Sequence, residues 1–256
     1  MGKAARIRAE RHPSHPPVRK PTNARRTIPR RWLFSGIGAA AAAVAAVVIV
    51  SSLSGGATNA PAAAIDGSQT AALLQGIPQS GASLGSPSAP VVLYEFADLQ
   101  CPYCQRFTTE VLPTVIRDYV RTGKVRIVFR GVSFLGPDSV KALRFALAAG
   151  QQNSLWDAAD LLYLNQGQEN SGWVTDELLN GIAAAVPGLD ATKVRSAESS
   201  SAVTNEMTDS ASQAALAGVD RTPTFLVSVH GQASQELSLS ALTVSAFRHA
   251  IAPYVQ

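Results

Sequence analysis

At 256 residues and a formal net charge of +4, the chain exceeds one small domain, and its charge is unevenly spread. Residues 1–31 hold ten of the 22 Lys and Arg but one of the 18 acidic residues, so residues 32–256 keep 12 basic against 17 acidic, a net charge of −5. Basicity is thus the property of a tail, and a nucleic-acid reading of the whole protein is the weaker one.

The tail, 1–31, mixes Arg, Pro, His and Ser and is expected to be disordered on the cytoplasmic side. From Trp32 to Leu53 there are 22 uncharged residues, mostly Ala, Val and Ile, long enough at 1.5 Å per residue to cross a hydrocarbon core of ~30 Å. Positive charge before this run and little after it predicts a single transmembrane helix with its N-terminus in the cytoplasm. A cleaved signal peptide is the competing reading, but the run is long for one and no clean cleavage site follows. Pro29 to Phe34 resembles a twin-arginine export signal without its full consensus. Either way, the remainder lies outside the cytoplasm, where thiols can be held as disulfides. Residues 54–85, rich in Ala, Gly, Ser, Pro and Gln, read as a flexible linker, with a short helix around 70–76.

Folded pattern begins after that linker, over 86–256. Val91 to Ala97 is an apolar run of strand length, and 102–121 shows helical spacing through Phe107, Val111, Val115 and Tyr119. Gly123 ends that helix and Pro113 is expected to kink it. Lys124 to Val132 alternates as a second strand, making a βαβ unit with parallel strands. A helical block follows at about 137–217, then a strand at Thr224–Val229, a partner at Glu236–Ser240 and a closing helix at Thr243–Tyr254.

Chemistry concentrates at Cys101-Pro102-Tyr103-Cys104, the only cysteines in the chain, at the first strand-to-helix junction. With Cys101 at the N-cap and Pro102 at the first helical position, the Cys101 sulfur meets unpaired backbone N–H groups and the positive end of the helix dipole. That favours the reactive thiolate, while Cys104, a turn further in, suits a resolving thiol. A static disulfide and half a zinc site are the other readings. No second cysteine pair or suitably spaced histidine supports zinc, and so short a loop would restrict the unfolded chain little.

Glu-Phe-Ala-Asp-Leu-Gln-Cys-Pro-Tyr-Cys at 95–104, followed by Gly-Val-Asp-Arg-Thr-Pro-Thr-Phe at 218–225, resembles the paired signatures of the DsbA-like thioredoxin-fold family. The resemblance spans about 86–256. It implies an α/β (α+β) thioredoxin fold with a helical insertion at about 137–217, and a thiol–disulfide oxidoreductase that introduces or exchanges disulfides in exported proteins. It also implies roles: Cys101 the exposed nucleophile, Cys104 the resolving thiol, Pro223 a cis-proline with Thr222 presenting backbone to substrate, and Glu95 the buried acid serving Cys104. Its partners would be exported proteins carrying cysteines and a quinone-linked membrane reoxidase, with no cofactor or metal.

Trp156, Tyr163 and Trp173 are read as core, and Gln105 and Arg106 as solvated. Tyr103 stands where the best-known oxidising members carry His, which leaves a reductase or isomerase of the same fold open. A non-redox, membrane-tethered binding module is the remaining alternative.

Overall fold

The computed structural model of the protein describes residues 65–255. The tail at 1–31, the membrane-spanning segment expected at 32–53 and the first part of the linker, 54–64, lie outside the described residues. Among the described residues no helix is long and apolar enough to cross a membrane.

The described chain builds a mixed six-stranded sheet in the order β1-β2-β4-β3-β5-β6. At its centre β3 (Val91–Ala97) runs parallel to β4 (Val125–Gly131) and antiparallel to β5 (Thr224–Val229). Six of the seven β3 residues are buried, as the unbroken apolar run requires of a strand covered on both faces. Between β3 and β4 the chain is helical from 102 to 120, the expected βαβ unit.

That connection is less regular than its periodicity predicts. Two short α segments, α2 (Pro102–Arg106) and α3 (Leu112–Val115), alternate with π turns at Phe107–Val111 and Ile116–Val120. Pro113 lacks a backbone N–H and crowds the preceding turn, and the Leu112 N–H reaches back five residues to the Phe107 carbonyl just before it. The kink expected at Pro113 thus takes the form of a π bulge.

Residues 137–217 form the helical block as α4 (Pro137–Gly150), α5 (Leu155–Leu164), α6 (Asp176–Ala185), α7 (Ala191–Ala197) and α8 (Ser201–Leu216). The chain closes with α9 (Val244–Ile251) and a 3₁₀ turn at Ala252–Tyr254. Phe107, Phe225 and Phe247 join the dithiol helix, β5 and α9 in one aromatic cluster, the first pair 4.6 Å apart between ring centres.

Two expectations are corrected. The linker read over 54–85 is folded from α1 (Ser68–Leu74) onward, followed by the two-residue strands β1 (Gln79–Ser80) and β2 (Ser83–Leu84), which extend the sheet beside β4. Strands this short leave no periodicity to read; distant contacts hold them. Trp156 Nε1 donates to the Ala82 carbonyl at 3.0 Å, and Arg121 donates to the Leu73 and Gln75 carbonyls at the end of α1. Gly85 is required here: its φ is +109°, and a Cβ would lie 2.9 Å from Val120 Cγ1 and 3.1 Å from the Val125 carbonyl oxygen. The strand expected at Glu236–Ser240 reduces to β6 (Gln235–Glu236), because only Leu226 and Val227 offer it ladder partners.

Candidate active site

Four sites expected from the sequence converge at the C-terminal end of β3. Cys101 caps the dithiol helix in extended conformation (φ −71°, ψ 120°), with Pro102 at the first helical position. Both cysteines are unbonded and buried; Cys101 keeps 5% of its surface and Cys104 none. Across from them the Thr222–Pro223 bond is cis, and Cys101 Sγ lies 3.4 Å from the Thr222 carbonyl oxygen, which can accept from the thiol. The loop from α8 into β5 therefore forms a wall beside the sulfur.

The two sulfurs are made unlike by their surroundings. A hydrogen bond from the Cys104 thiol lowers Cys101 to about 6 against the opposing effect of burial, helped by the Thr222 side chain and the N–H groups of Cys104 and Tyr103. Burial, then that same bond to Cys101, pushes Cys104 well above the ordinary thiol range. One sulfur is poised to attack or be attacked, and the other to keep its proton.

Glu95 lies beneath the pair on β3 and is 2% exposed. Burial raises its carboxyl to about 8, so at neutral pH it holds a proton. Its negative form is one of the causes that raise Cys104, so the two groups sense each other.

Sequence reasoning passed over the polar residues that fix this loop. Asp98 is fully buried and its carboxyl oxygens accept four hydrogen bonds: from the N–H of Gln100, the Ser139 hydroxyl, and the N–H groups of Phe134 and Leu135. Gln100, 1% exposed, bonds to Ser139 and to both the backbone and side chain of Asn170. Gln166 Nε2 donates to the carbonyls of Leu99, at 2.9 Å, and Cys101, at 3.4 Å. The helical block thus clamps the segment leading into Cys101. A signal was present, since two polar residues inside a buried strand-to-helix junction must find partners.

Of the remaining residues, Trp156 and Tyr163 are core as expected, yet the Tyr163 hydroxyl also donates to the Asp98 carbonyl at 3.2 Å. Burial, with Cys104 and Glu95 nearby, pushes that phenol upward. Gln105 is tied to the Tyr163 carbonyl, whereas Arg106 is solvated and paired with Glu110. Tyr103 is 61% exposed at the mouth of the site. A groove of about 190 Å³ runs from Pro223 between Phe225 and the Leu237–Leu242 segment, with Arg221 and Glu236 at its edge.

Comparison with known proteins agrees with this geometry. A family model described as Thioredoxin matches residues 79–243. A probable disulfide bond formation protein D of Bacillus anthracis is 36% identical over 111 residues, covering 42% of this chain and 51% of that relative. The chain spans about half the length of the curated relatives it matches. A thioredoxin-like oxidoreductase of Silicibacter pomeroyi is 30% identical with a TM-score of 0.53, over 69% of this chain and 91% of that one. Oxidised BdbD from Bacillus subtilis, at 21% identity, shares the fold with a TM-score of 0.60 over 70% and 97% of the two chains.

Proposed function

Because this chain belongs to the thioredoxin family, in its DsbA-like branch with a helical insertion, we propose that it is a thiol–disulfide oxidoreductase that introduces disulfides into exported proteins. The observation that carries this reading is the inequality of the pair: Cys101 at about 6 beside a Cys104 pushed the other way. A pair built only to brace the fold needs no such asymmetry.

In the proposed cycle a substrate thiolate attacks Cys101 Sγ, the Cys101–Cys104 bond breaks, and its electron pair leaves on Cys104. Glu95, protonated and adjacent, supplies a proton to that buried leaving sulfur. A second substrate thiolate then attacks the mixed disulfide at the substrate sulfur, releasing the oxidised substrate and the Cys101 thiolate. The substrate's extended segment lies along the groove beside Thr222 and Pro223, pairing with exposed backbone there. A quinone-linked membrane reoxidase restores the disulfide.

The direction follows from the thiolate. Each unit by which the Cys101 thiol falls below the ambient pH favours the reduced protein by ~1.4 kcal/mol, or about 30 mV for two electrons. Such a protein takes electrons from substrates more readily than it gives them. Exposed Tyr103 adds no positive charge to that stabilisation. Residues 32–53 anchor the domain in the membrane, with the dithiol outside the cytoplasm and 1–31 within.

Equilibration of the purified protein with glutathione tests the direction: a potential nearer about −120 than −270 mV is expected, and the opposite makes it a reductant. Labelling of Cys101 in intact cells by a membrane-impermeant maleimide tests the location. Protection until the membrane is permeabilised would overturn it.

A further inference from the structure

Under the dithiol, Glu95 and Asp160 line the same small cavity between β3, α5 and α1. Its volume of about 10 Å³ is close to the minimum for one water molecule, and Glu95, Thr108 and Asp160 supply the polar partners a water needs. No Lys, Arg or His lines it. Asp160 is 9% exposed, and its Oδ2 accepts from the Thr70 hydroxyl of α1 at 2.5 Å. One turn earlier on α5, Asp157 accepts from Gln79 Nε2 at 2.7 Å and borders a solvent-open groove of about 600 Å³ with Ser68 and Ala71. Three carboxyl groups thus lead from beneath Cys104 to the surface at a groove that shares no lining residue with the one beside Pro223.

We propose that Asp160 exchanges protons between Glu95 and solvent, through a water in this cavity on the inner side and past Asp157 on the outer side. The inference rests on the redox reading above. When Cys104 leaves as a thiolate, Glu95 gives it a proton and becomes a carboxylate buried without a cation. The cavity water then protonates Glu95 as it takes a proton from Asp160, and Asp160 is refilled from solvent by way of Asp157. One solvent proton is consumed, matching one released by the substrate thiols, and reoxidation runs the same steps in reverse. Asp160 touches neither sulfur and acts through Glu95, so it is a positioning residue rather than a catalytic one.

The groups facing Asp160 are Thr70 from α1, Glu95 from β3, and Asp157 and Tyr163 on its own helix. Burial raises Asp160 and Asp157 as well as Glu95. Docking α1 is the other job Asp160 performs, and the two roles separate by mutation. In Asp160→Asn the amide oxygen still accepts from Thr70 but carries no exchangeable carboxyl proton. Thr70→Val loses the bond and keeps every carboxyl.

The test is single-turnover reduction of the oxidised full chain by dithiothreitol from pH 5 to 10, with rates divided by the reductant's thiolate fraction. Wild type should show an inflection near pH 8, where Glu95 titrates, and Glu95→Gln should lose it. Asp160→Asn should slow the reaction below that inflection about tenfold, less than the ~10²–10⁴ expected on removing a general acid itself, and move the inflection to lower pH. Thr70→Val should keep the wild-type inflection despite weaker docking of α1. Unchanged rates and inflection in Asp160→Asn overturn the proposal, as does a Thr70→Val profile that matches it. A Cys101→Ser protein that exchanges as fast as wild type would instead sink the redox reading beneath it.

Discussion

Tyr94 and Glu95 are adjacent on β3 and face opposite sides of the sheet. On the Glu95 side, Leu93, Ala97, Ile127 and Phe129 are buried beneath the dithiol helix and α5, and no Lys, Arg or His lines the small cavity the carboxyl borders. On the Tyr94 side, a groove of about 510 Å³ lies open between the sheet and α8, bordered by Phe96, Arg130, Leu226 and Leu216. There the half-buried Arg130 guanidinium stacks over Tyr94, 5.5 Å from the ring centre, and its Nε is buried with no hydrogen-bond partner among the described residues. One face raises a carboxyl's proton affinity by burial; the other holds a guanidinium against an aromatic ring. The contrast teaches that the chemistry of this fold is set by which helices cover a strand face, since the strand itself serves both.

The strongest way to break that contrast is to remove the thiolate. Cys101→Ser should reduce exchange with a reduced, cysteine-containing substrate by at least about a thousandfold. Alkylation of the reduced protein by iodoacetamide should be half-maximal near pH 6 at Cys101, with Cys104 unreactive at that pH. Equal reactivity of the two sulfurs would erase the asymmetry.

Next in size is the clamp on the buried side. Asp98→Ala leaves three backbone N–H groups and the Ser139 hydroxyl without their acceptor, and should cost about 3–5 kcal/mol, read from the urea midpoint. A loss below about 1 kcal/mol would mean that water replaces the carboxyl and the junction is not dry.

Glu95 sharpens the comparison through pH. Folded, it holds its proton up to about pH 8; unfolded, only up to its ordinary 4.5. The folded state therefore binds more protons between those values, and stability falls as pH rises by ~1.4 kcal/mol per unit. Cys101 acts in the opposite sense, at about 6 folded against 9 unfolded, so the reduced protein gains stability as pH rises over that window. Between pH 6 and 8 the two slopes cancel in the reduced protein, while the oxidised protein lacks the thiolate. Oxidised wild type should lose about 2 kcal/mol from pH 6 to 8, with reduced wild type and oxidised Glu95→Gln nearly flat. Denaturant titrations at the two pH values check all three.

The smallest effect belongs to the open face. Arg130→Met should change stability by no more than about 0.5 kcal/mol, because most of the aliphatic stem is kept and the charge forms no salt bridge among the described residues, acting only at longer range on Glu206. A larger loss, measured by the same titration, would show that the half-buried cation–π contact with Tyr94 contributes at the desolvated end of the usual range.

Much of this architecture was legible in the chain. The apolar run at Val91–Ala97 announced a doubly covered strand, and Gly123 the end of the helix. The Cys-Pro-Tyr-Cys spacing placed two thiols across one helical turn, a local fact that needs no distant residue. The hairpin at Gln79–Leu84 was not legible, since two-residue strands carry no period and this pair is held by Val128, Ile127 and Trp156 from elsewhere.

By itself the sequence determined the dithiol, its place at a helix start and the βαβ frame, which follow from short-range spacing; the proline wall at Thr222–Pro223 was implied by the family resemblance alone. Tertiary structure alone decided which polar residues work in the dark. Asp98 meets Phe134 across 36 positions and Ser139 across 41, Gln100 meets Asn170 across 70, and Thr70 meets Asp160 across 90. A carboxyl's proton affinity depends on what surrounds it, and those surroundings come from segments far along the chain, so only the folded molecule could set Glu95 near 8 and Cys101 near 6.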